Sequence, residues 1–228
     1  MSHCKSCLKL LLTEDFRKKY SFVMNIDYEK KFFNKGYDYI AGIDEVGRGA
    51  FAGPIVAAAV VFDSSVLCKK QLIEEVKDSK ALSENKREEL SVLIREQSAC
   101  FAIGIVDSQE IDRINIGNAN RLCIKRAVQQ LKITPRFIVC DFVQKLEFNI
   151  PFEMYAKADA NILSVASASI VAKVFRDNLM KEYSKQYPEF EFEKHKGYGT
   201  SEHRSLIYQH GLCILHRRSF GVGQKKLF

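Results

Sequence analysis

Two apolar runs rich in β-forming residues, Tyr37 to Glu45 and Ile55 to Phe62, flank the glycine-rich segment Gly47-Arg48-Gly49-Ala50-Phe51-Ala52-Gly53-Pro54. This pattern predicts strand, tight loop, strand. Ser83-Glu84 then opens a helix to about Gln97, with the serine as N-cap and a carboxylate in the first turn, where it favours the helix dipole. Phe101 to Val106 reads as a third strand, and a helix from about Asn118 to Leu131 leads into the apolar run Arg136 to Asp141, which ends in an acid. Phe152 to Ala158 reads as a fifth strand, stopping just before Asp159. From Asn161 to about Tyr187 a long helix sets Leu163, Ile170 and Val174 on one face, while Ala166, Ser167, Ala168, Ser169 and Ala172 permit close packing. Upstream, Phe16, Tyr20, Val23, Met24, Tyr28 and Phe32 recur at helical spacing, as a packing stripe would.

Strands and helices interleaved in this order predict an α/β fold. The expected divisions are a basic N-terminal extension over 1–36, the α/β domain over 37–180, a C-terminal helical subdomain over 181–220 and a tail over 221–228. A chain of 228 residues is long enough for one well-buried core with an appendage and too short for two large domains.

The longest apolar stretch, Gly53 to Phe62, is about half of the roughly 20 residues a membrane helix needs, so it reads as a buried strand. The Leu8 to Leu12 run is followed by Glu14, Asp15 and Arg17 with no small-residue cleavage site, which argues against a signal peptide. No membrane association and a cytoplasmic location are expected. The net charge of +7 suits a polyanionic partner, although solubility alone would account for it. The ends carry the excess: residues 1 to 36 hold eight Lys/Arg against four Asp/Glu, and residues 181 to 228 hold nine against five. Seven cysteines without framework spacing read as reduced thiols, and Cys4-Lys5-Ser6-Cys7 beside His3 lacks the second ligand pair of a structural zinc site.

Asp44, Asp141 and Asp159 each fall at or near the C-terminal end of an expected β-run, where side chains of neighbouring strands converge, and Glu45 adds a fourth acid. Any one of them is more often an Asx turn or an N-cap. Together they form a cluster whose mutual repulsion a hard, oxygen-seeking cation relieves, with Mg²⁺ or Mn²⁺ the expected occupant. Two such ions can drive in-line attack of water on a phosphodiester without a nucleophilic Ser, Cys or His. Gly47-Arg48-Gly49 would bring backbone N–H groups and a guanidinium to the same place; its bland reading is a glycine-rich hairpin, and no Gly-Lys-Ser/Thr follows to make a Walker A loop.

Gly42-Ile43-Asp44-Glu45-Val46-Gly47-Arg48-Gly49 with Gly53-Pro54 resembles the opening motif of the ribonuclease HII family. The resemblance continues through Asp78 to Ser83, Ile111-Asp112 to Asn120, Ser164 to Asp177, Lys196 to Thr200 and His216 to Phe220, covering about residues 38 to 220. It implies an RNase H-like fold, a mixed β-sheet flanked by helices. It also implies an endonuclease that cuts the RNA strand of RNA–DNA hybrids, and duplex DNA 5′ of a single embedded ribonucleotide, leaving 3′-hydroxyl and 5′-phosphate ends. Asp44, Glu45, Asp141 and Asp159 match the family's metal-binding carboxylates, with two ions engaged in catalysis. Gly47, Arg48 and Gly49 match the loop that senses a ribose 2′-hydroxyl, and Tyr198 the tyrosine that stacks on the next sugar. Lys80 and the segment Lys194-His195-Lys196 would lie along a phosphate track, with Lys80 and Lys196 as contacts; His203 and His216 read as packing or hydrogen-bonding histidines.

Two positions depart from the family, which usually has Gly after the third acid and before the fourth: here Phe142 follows Asp141 and Ala158 precedes Asp159, an expectation of added bulk beside the ions. The four acids favour an enzyme over a noncatalytic hybrid-binding protein. Gly-Arg-Gly with Tyr198 favours the RNA–DNA junction over RNA alone, and it disfavours the sister ribonuclease HIII, whose corresponding loop lacks Gly-Arg-Gly. Gln224-Lys225-Lys226-Leu227-Phe228 resembles a sliding-clamp-binding peptide. A monomer is the family-based expectation.

Overall fold

Pairing of the first two strands organises the sheet. The computed structural model describes residues 26–76 and 83–221. Its helices and strands run α1 (Asp27–Asn34), β1 (Tyr39–Val46), β2 (Ile55–Asp63), α2 (Lys70–Glu75), α3 (Glu84–Gln97), β3 (Cys100–Val106), α4 (Ser108–Ile114), α5 (Ile116–Gln129), β4 (Phe137–Asp141), β5 (Phe152–Tyr155), α6 (Ala158–Asn161), α7 (Leu163–Gln186), α8 (Phe192–His195) and α9 (Ser201–His210). The five-stranded sheet has the order β3-β2-β1-β4-β5. β1 pairs antiparallel with β2, and β2 with β3, whereas β4 runs parallel to both β1 and β5. This is the expected mixed sheet flanked by helices.

β2 is fully buried from Ile55 to Phe62, which explains its unbroken apolar run: helices cover both faces of the sheet. Each large side chain in it contributes about 1.5–3 kcal/mol of burial. On one face α7 packs Leu163, Ala166 and Ile170 against Ala58, Val60 and Phe62, with α3 adding Leu90 and Ile94. On the other, α5 supplies Ala119, Cys123, Ile124 and Ala127 against Ala57, Ala59 and Val61. β1 and α7 approach to backbone contact at Gly42, where an added Cβ would lie 2.0 Å from the Ser164 carbonyl carbon. That contact fixes the start of α7 against the strand that carries Asp44. Beyond the sheet, Ala52, Met180, Phe190, Phe192 and Ile207 form a separate apolar cluster under α8 and α9.

Ser83 caps α3 as expected, its hydroxyl accepting from Lys86 N–H. The fifth strand is shorter than expected. It ends at Tyr155, Lys157 turns left-handed (φ 58°), and Asp159 rises from the short α6 rather than from a strand end. The reason is a tertiary bond: in the left-handed conformation Lys157 N–H reaches Asp141 Oδ1 at 3.0 Å. The long helix accordingly begins at Leu163, after extended Ile162, rather than at Asn161. Helix α4 was not anticipated, although Asp107 caps it through Glu110 N–H. Of the N-terminal stripe, Tyr28 and Phe32 lie within the described residues; Phe16, Tyr20, Val23, Met24, the Cys4–Cys7 pair, Lys80 and Gln224 to Phe228 lie outside them.

Helix α1 is built into the core. Phe32 stacks on Phe137 with ring centroids 4.0 Å apart. Glu29, buried, accepts from the backbone N–H and the hydroxyl of Ser164 at 2.8 and 2.9 Å, capping the first turn of α7 from another segment. Among the described residues its other oxygen has no hydrogen-bond partner, and burial raises its pKa above the ordinary value. Glu29→Ala is expected to cost about 2 kcal/mol in urea unfolding, because Ser164 loses its acceptor. Glu29→Gln keeps an acceptor and removes the charge. Since the wild-type carboxyl has a raised folded-state pKa, its contribution is full below the ordinary value and is lost as pH rises through the folded one. The glutamine variant should therefore gain on the wild type as pH is raised, and parallel curves at all pH values would refute this.

Candidate active site

Consecutive side chains of a strand point to opposite faces, and Asp44 and Glu45 are anchored accordingly. Asp44 is hydrogen-bonded by Ser169 of α7, and Glu45 Oε1 accepts from Asn120 Nδ2 of α5 at 3.0 Å. Because they sit at the end of β1, both still line one cleft of about 510 Å³, shared with Asp141, Asp159, Gly47, Arg48, Gly49 and Tyr198. Asp141 ends β4, one residue beyond the Ile43–Cys140 pair, which brings it beside Asp44. Its Oδ1 accepts from Phe142 N–H at 2.8 Å as well as from Lys157 N–H, so its second oxygen is left for other contacts. Asp159 is buried on α6.

Electrostatics follow from this crowding. Burial, then the charges of Glu45 and Asp159, push the Asp44 carboxyl well above its ordinary pKa, against the bond from Ser169. Burial and Asp141 raise Glu45, opposed by Asn120 and by the Arg48 guanidinium. The donor set is all hard oxygen, which fits Mg²⁺ or Mn²⁺ and not a soft ion. Among the described residues no three acidic, His or Cys side chains close into a ready cage.

Two buried arginines hold the glycine loop from beneath. Arg217 donates to the carbonyls of Gly47, Arg48 and Gly53 at 2.7–3.0 Å. Arg176 donates to those of Ala52, Pro54 and Lys196 at 2.9–3.1 Å. Gly47 has a φ of +86°, and a Cβ there would lie 2.2 Å from Arg176 Nε, so this position requires glycine on both counts. Tyr198 stands over Arg176, whose guanidinium carbon is 5.3 Å from the ring centroid, with Lys173 Nζ at 6.0 Å. Ser169, Lys173 and Arg87 also line the cleft, and Asn120 backs it. Sequence reasoning gave none of these a role, although Asn120 and Ser164 to Asp177 lie in its quoted motifs. Their function is tertiary: α5 and α7 must be docked before Asn120 and Ser169 meet the acids.

The phosphate-track candidates among the described residues do not line the cleft. Lys196 Nζ bonds the Glu193 carbonyl and lies 3.9 Å from Glu84; Lys194 pairs with Glu191 at 2.8 Å; His195 is buried. Lys80 lies outside the described residues. Phe142 is 63% exposed and does not line the cleft, while Ala158 is buried with Phe32, Ile40 and Val165. Neither side chain adds bulk among the acids, contrary to the sequence expectation.

Comparison with known proteins gives a consistent picture. A family profile described as Ribonuclease HII matches residues 41–222. The ribonuclease HII of Acetivibrio thermocellus is 46% identical over 193 residues, 85% of this chain and 73% of that protein. Among solved structures, the ribonuclease H2 from Pyrococcus horikoshii OT3 aligns with a TM-score of 0.69 and 26% identity, covering 81% of this chain and 96% of that one. The PCNA:RNase HII complex from Archaeoglobus fulgidus aligns at 0.68 and 25%, covering 82% and 98%.

Because Asp44 and Glu45 hold protons more tightly than free carboxyls, divalent-ion binding should release protons. Calorimetric heats for Mn²⁺ at mildly acidic pH, from just above the ordinary carboxyl range upward, are expected to differ between buffers of unequal ionisation enthalpy, and equal heats throughout would contradict the upward direction. Asn120→Ala, which strips Glu45 of its orienting bond, should weaken Mn²⁺ binding by about tenfold.

Proposed function

The chain belongs to the ribonuclease HII family, whose members are metal-dependent endoribonucleases that hydrolyse RNA in RNA–DNA hybrids, and from this premise we propose that it also cuts duplex DNA 5′ of a single embedded ribonucleotide, leaving 3′-hydroxyl and 5′-phosphate ends. The observation that carries the reading is the single cleft shared by the four acids, the Gly47–Gly49 loop and Tyr198. Asp44, Glu45, Asp141 and Asp159 would hold two Mg²⁺ or Mn²⁺ ions, which supply an activated water and offset charge on the departing 3′ oxygen. The chain's own groups do the positioning. Two backbone N–H groups fix Asp141, while Asn120 and Ser169 orient Glu45 and Asp44. Gly47, Arg48 and Gly49 contact the ribose 2′-hydroxyl, the atom that separates RNA from DNA, and Tyr198 stacks on the following sugar. Lys80 and Lys196 are assigned to the phosphate track, Lys196 by exchanging the Glu193 carbonyl for a phosphate oxygen.

We assign Gln224-Lys225-Lys226-Leu227-Phe228 to a sliding clamp, with its apolar pair in the clamp pocket. A related structure is that of a PCNA:RNase HII complex. Loss of Leu227 and Phe228 should abolish clamp binding in a pull-down with the purified clamp, and an unaltered signal would end this assignment. Among the described residues no helix is long and apolar enough to cross a membrane. Action as a monomer in the cytoplasm is part of the proposal.

The deciding experiment is cleavage of a DNA duplex carrying one ribonucleotide, with Mg²⁺ and with Mn²⁺, by the wild type and Asp44→Asn. Cutting on the 5′ side of the ribonucleotide is expected, with a loss of at least about 10²-fold in the variant. Binding without cutting by the wild type would leave a noncatalytic hybrid-binding protein.

A further inference from the structure

Beneath Tyr198 lies a group of buried imidazoles that the chemistry above does not use. His203 Nδ1 is 3.0 Å from the Tyr198 carbonyl, and His203 Nε2 is 3.2 Å from His216 Nε2. His216 Nδ1 is 3.0 Å from Cys213 N–H and 3.2 Å from its sulfur. His203 is fully buried and His216 is 2% exposed, enclosed by the rings of Phe51, Phe190, Phe192 and His195, the last stacked on His203 at 4.1 Å.

Proton positions in this chain are fixed from both ends. A carbonyl only accepts, so His203 Nδ1 carries hydrogen and its Nε2, in the neutral ring, is an acceptor. At the other end a backbone N–H only donates, so His216 Nδ1 is the acceptor and its Nε2 carries hydrogen. The two deductions are independent and they meet correctly: His216 Nε2–H donates to His203 Nε2. A proton added to either ring would set donor against donor, and burial holds both pKa values down to about 4, so the pair is neutral at working pH.

The ends of this relay belong to the two halves of the proposed sugar site. His216 pairs with Ala52 in an isolated β-bridge, and its neighbour Arg217 holds the carbonyls of Gly47 and Arg48. His203 holds the carbonyl of Tyr198 itself. We propose that His203 and His216 are positioning residues that set Tyr198 against the Gly47–Gly49 loop, and so govern how tightly a ribonucleotide-containing duplex is bound. This rests on the assignment of Tyr198 and the loop to the sugar.

The test compares two uncharged replacements of His216 in the full chain, on duplex DNA bearing one ribonucleotide. His216→Gln keeps an N–H at the reach of Nε2 and can still donate to His203. His216→Asn keeps an acceptor for Cys213 but cannot reach His203. His216→Asn is expected to raise KM by about tenfold with kcat within about threefold, and His216→Gln to restore KM to within about threefold of wild type. In a Tyr198→Ala background, His216→Asn should add less than about twofold, because the partner it positions is gone. Equal KM for the two replacements, or a full effect persisting without Tyr198, would overturn the proposal. Should His216→Asn not fold, His203→Gln, which keeps an acceptor for His216 and drops the donor to Tyr198, serves instead; a wild-type KM there overturns it equally. If Tyr198→Ala itself leaves KM at the wild-type value, the sugar-site reading fails and this inference with it. If Tyr198→Ala raises KM while His216→Asn does not, the relay alone fails.

Discussion

Mutual repulsion among Asp44, Glu45, Asp141 and Asp159 is the constraint around which the rest of the structure is arranged. Four carboxylates facing one cleft are unfavourable in proportion to how well they are shielded from water, and burial has already driven Asp44 well above its ordinary pKa. The fold answers with neutral donors rather than with close ion pairs: Asn120 on Glu45, Ser169 on Asp44, and two main-chain N–H groups on Asp141. Such donors orient the carboxylates without cancelling their charge. A fully salt-bridged cluster would be more comfortable and would bind a cation less well. The exposed Arg48 guanidinium eases Glu45 from the rim.

The two buried guanidinium groups near the site are directed at main chain. Arg176 and Arg217 spend seven hydrogen bonds on main-chain carbonyls of the Gly47–Pro54 loop and of Lys196. Burying two guanidinium groups is costly unless nearly every N–H is paired, and a loop rich in unpaired carbonyls supplies that pairing. The dependence is mutual: the loop has almost no secondary structure of its own, so its shape is set by the arginines. Both come from the C-terminal half of the chain, one from α7 and one from the segment after α9. The Gly47–Pro54 loop therefore acquires its geometry only once the helical end has docked on the sheet.

This order of dependence explains what the amino-acid pattern revealed. β1 and β2 were legible because burial on both faces writes an unbroken apolar run, and α3 because Ser83 is a local cap. The four acids stood out because strand ends are recognisable and carboxylates there are few. The fifth strand was carried on to Ala158, just short of Asp159, because nothing local marks Lys157 as left-handed; the cause is Asp141, sixteen residues earlier. Asn120 and Ser169 lie on helix faces that read as ordinary packing until α5 and α7 lie across opposite sides of β1. Lys196 read as a phosphate contact through the family resemblance, which does not foretell that its side chain folds back onto Glu193 and towards Glu84.

The same reasoning accounts for the two positions where this chain departs from the glycines usual in its family. What the site needs from residue 142 is a backbone N–H on Asp141 Oδ1, which any residue but proline supplies, and Phe142 supplies it with its ring turned to solvent. The residue before Asp159 opens α6, and Ala158 is buried there in one apolar cluster with Phe32, Ile40 and Val165. Phe32 belongs to α1, ahead of the segment that the family profile matches. The alanine is thus accommodated by a wall that includes residues from outside the shared core. The left-handed turn just before it falls on Lys157, where the bond to Asp141 offsets roughly 1–2 kcal/mol of strain. The acid cluster survives both substitutions because its geometry is held by main chain and by neighbouring helices, not by the residues that changed.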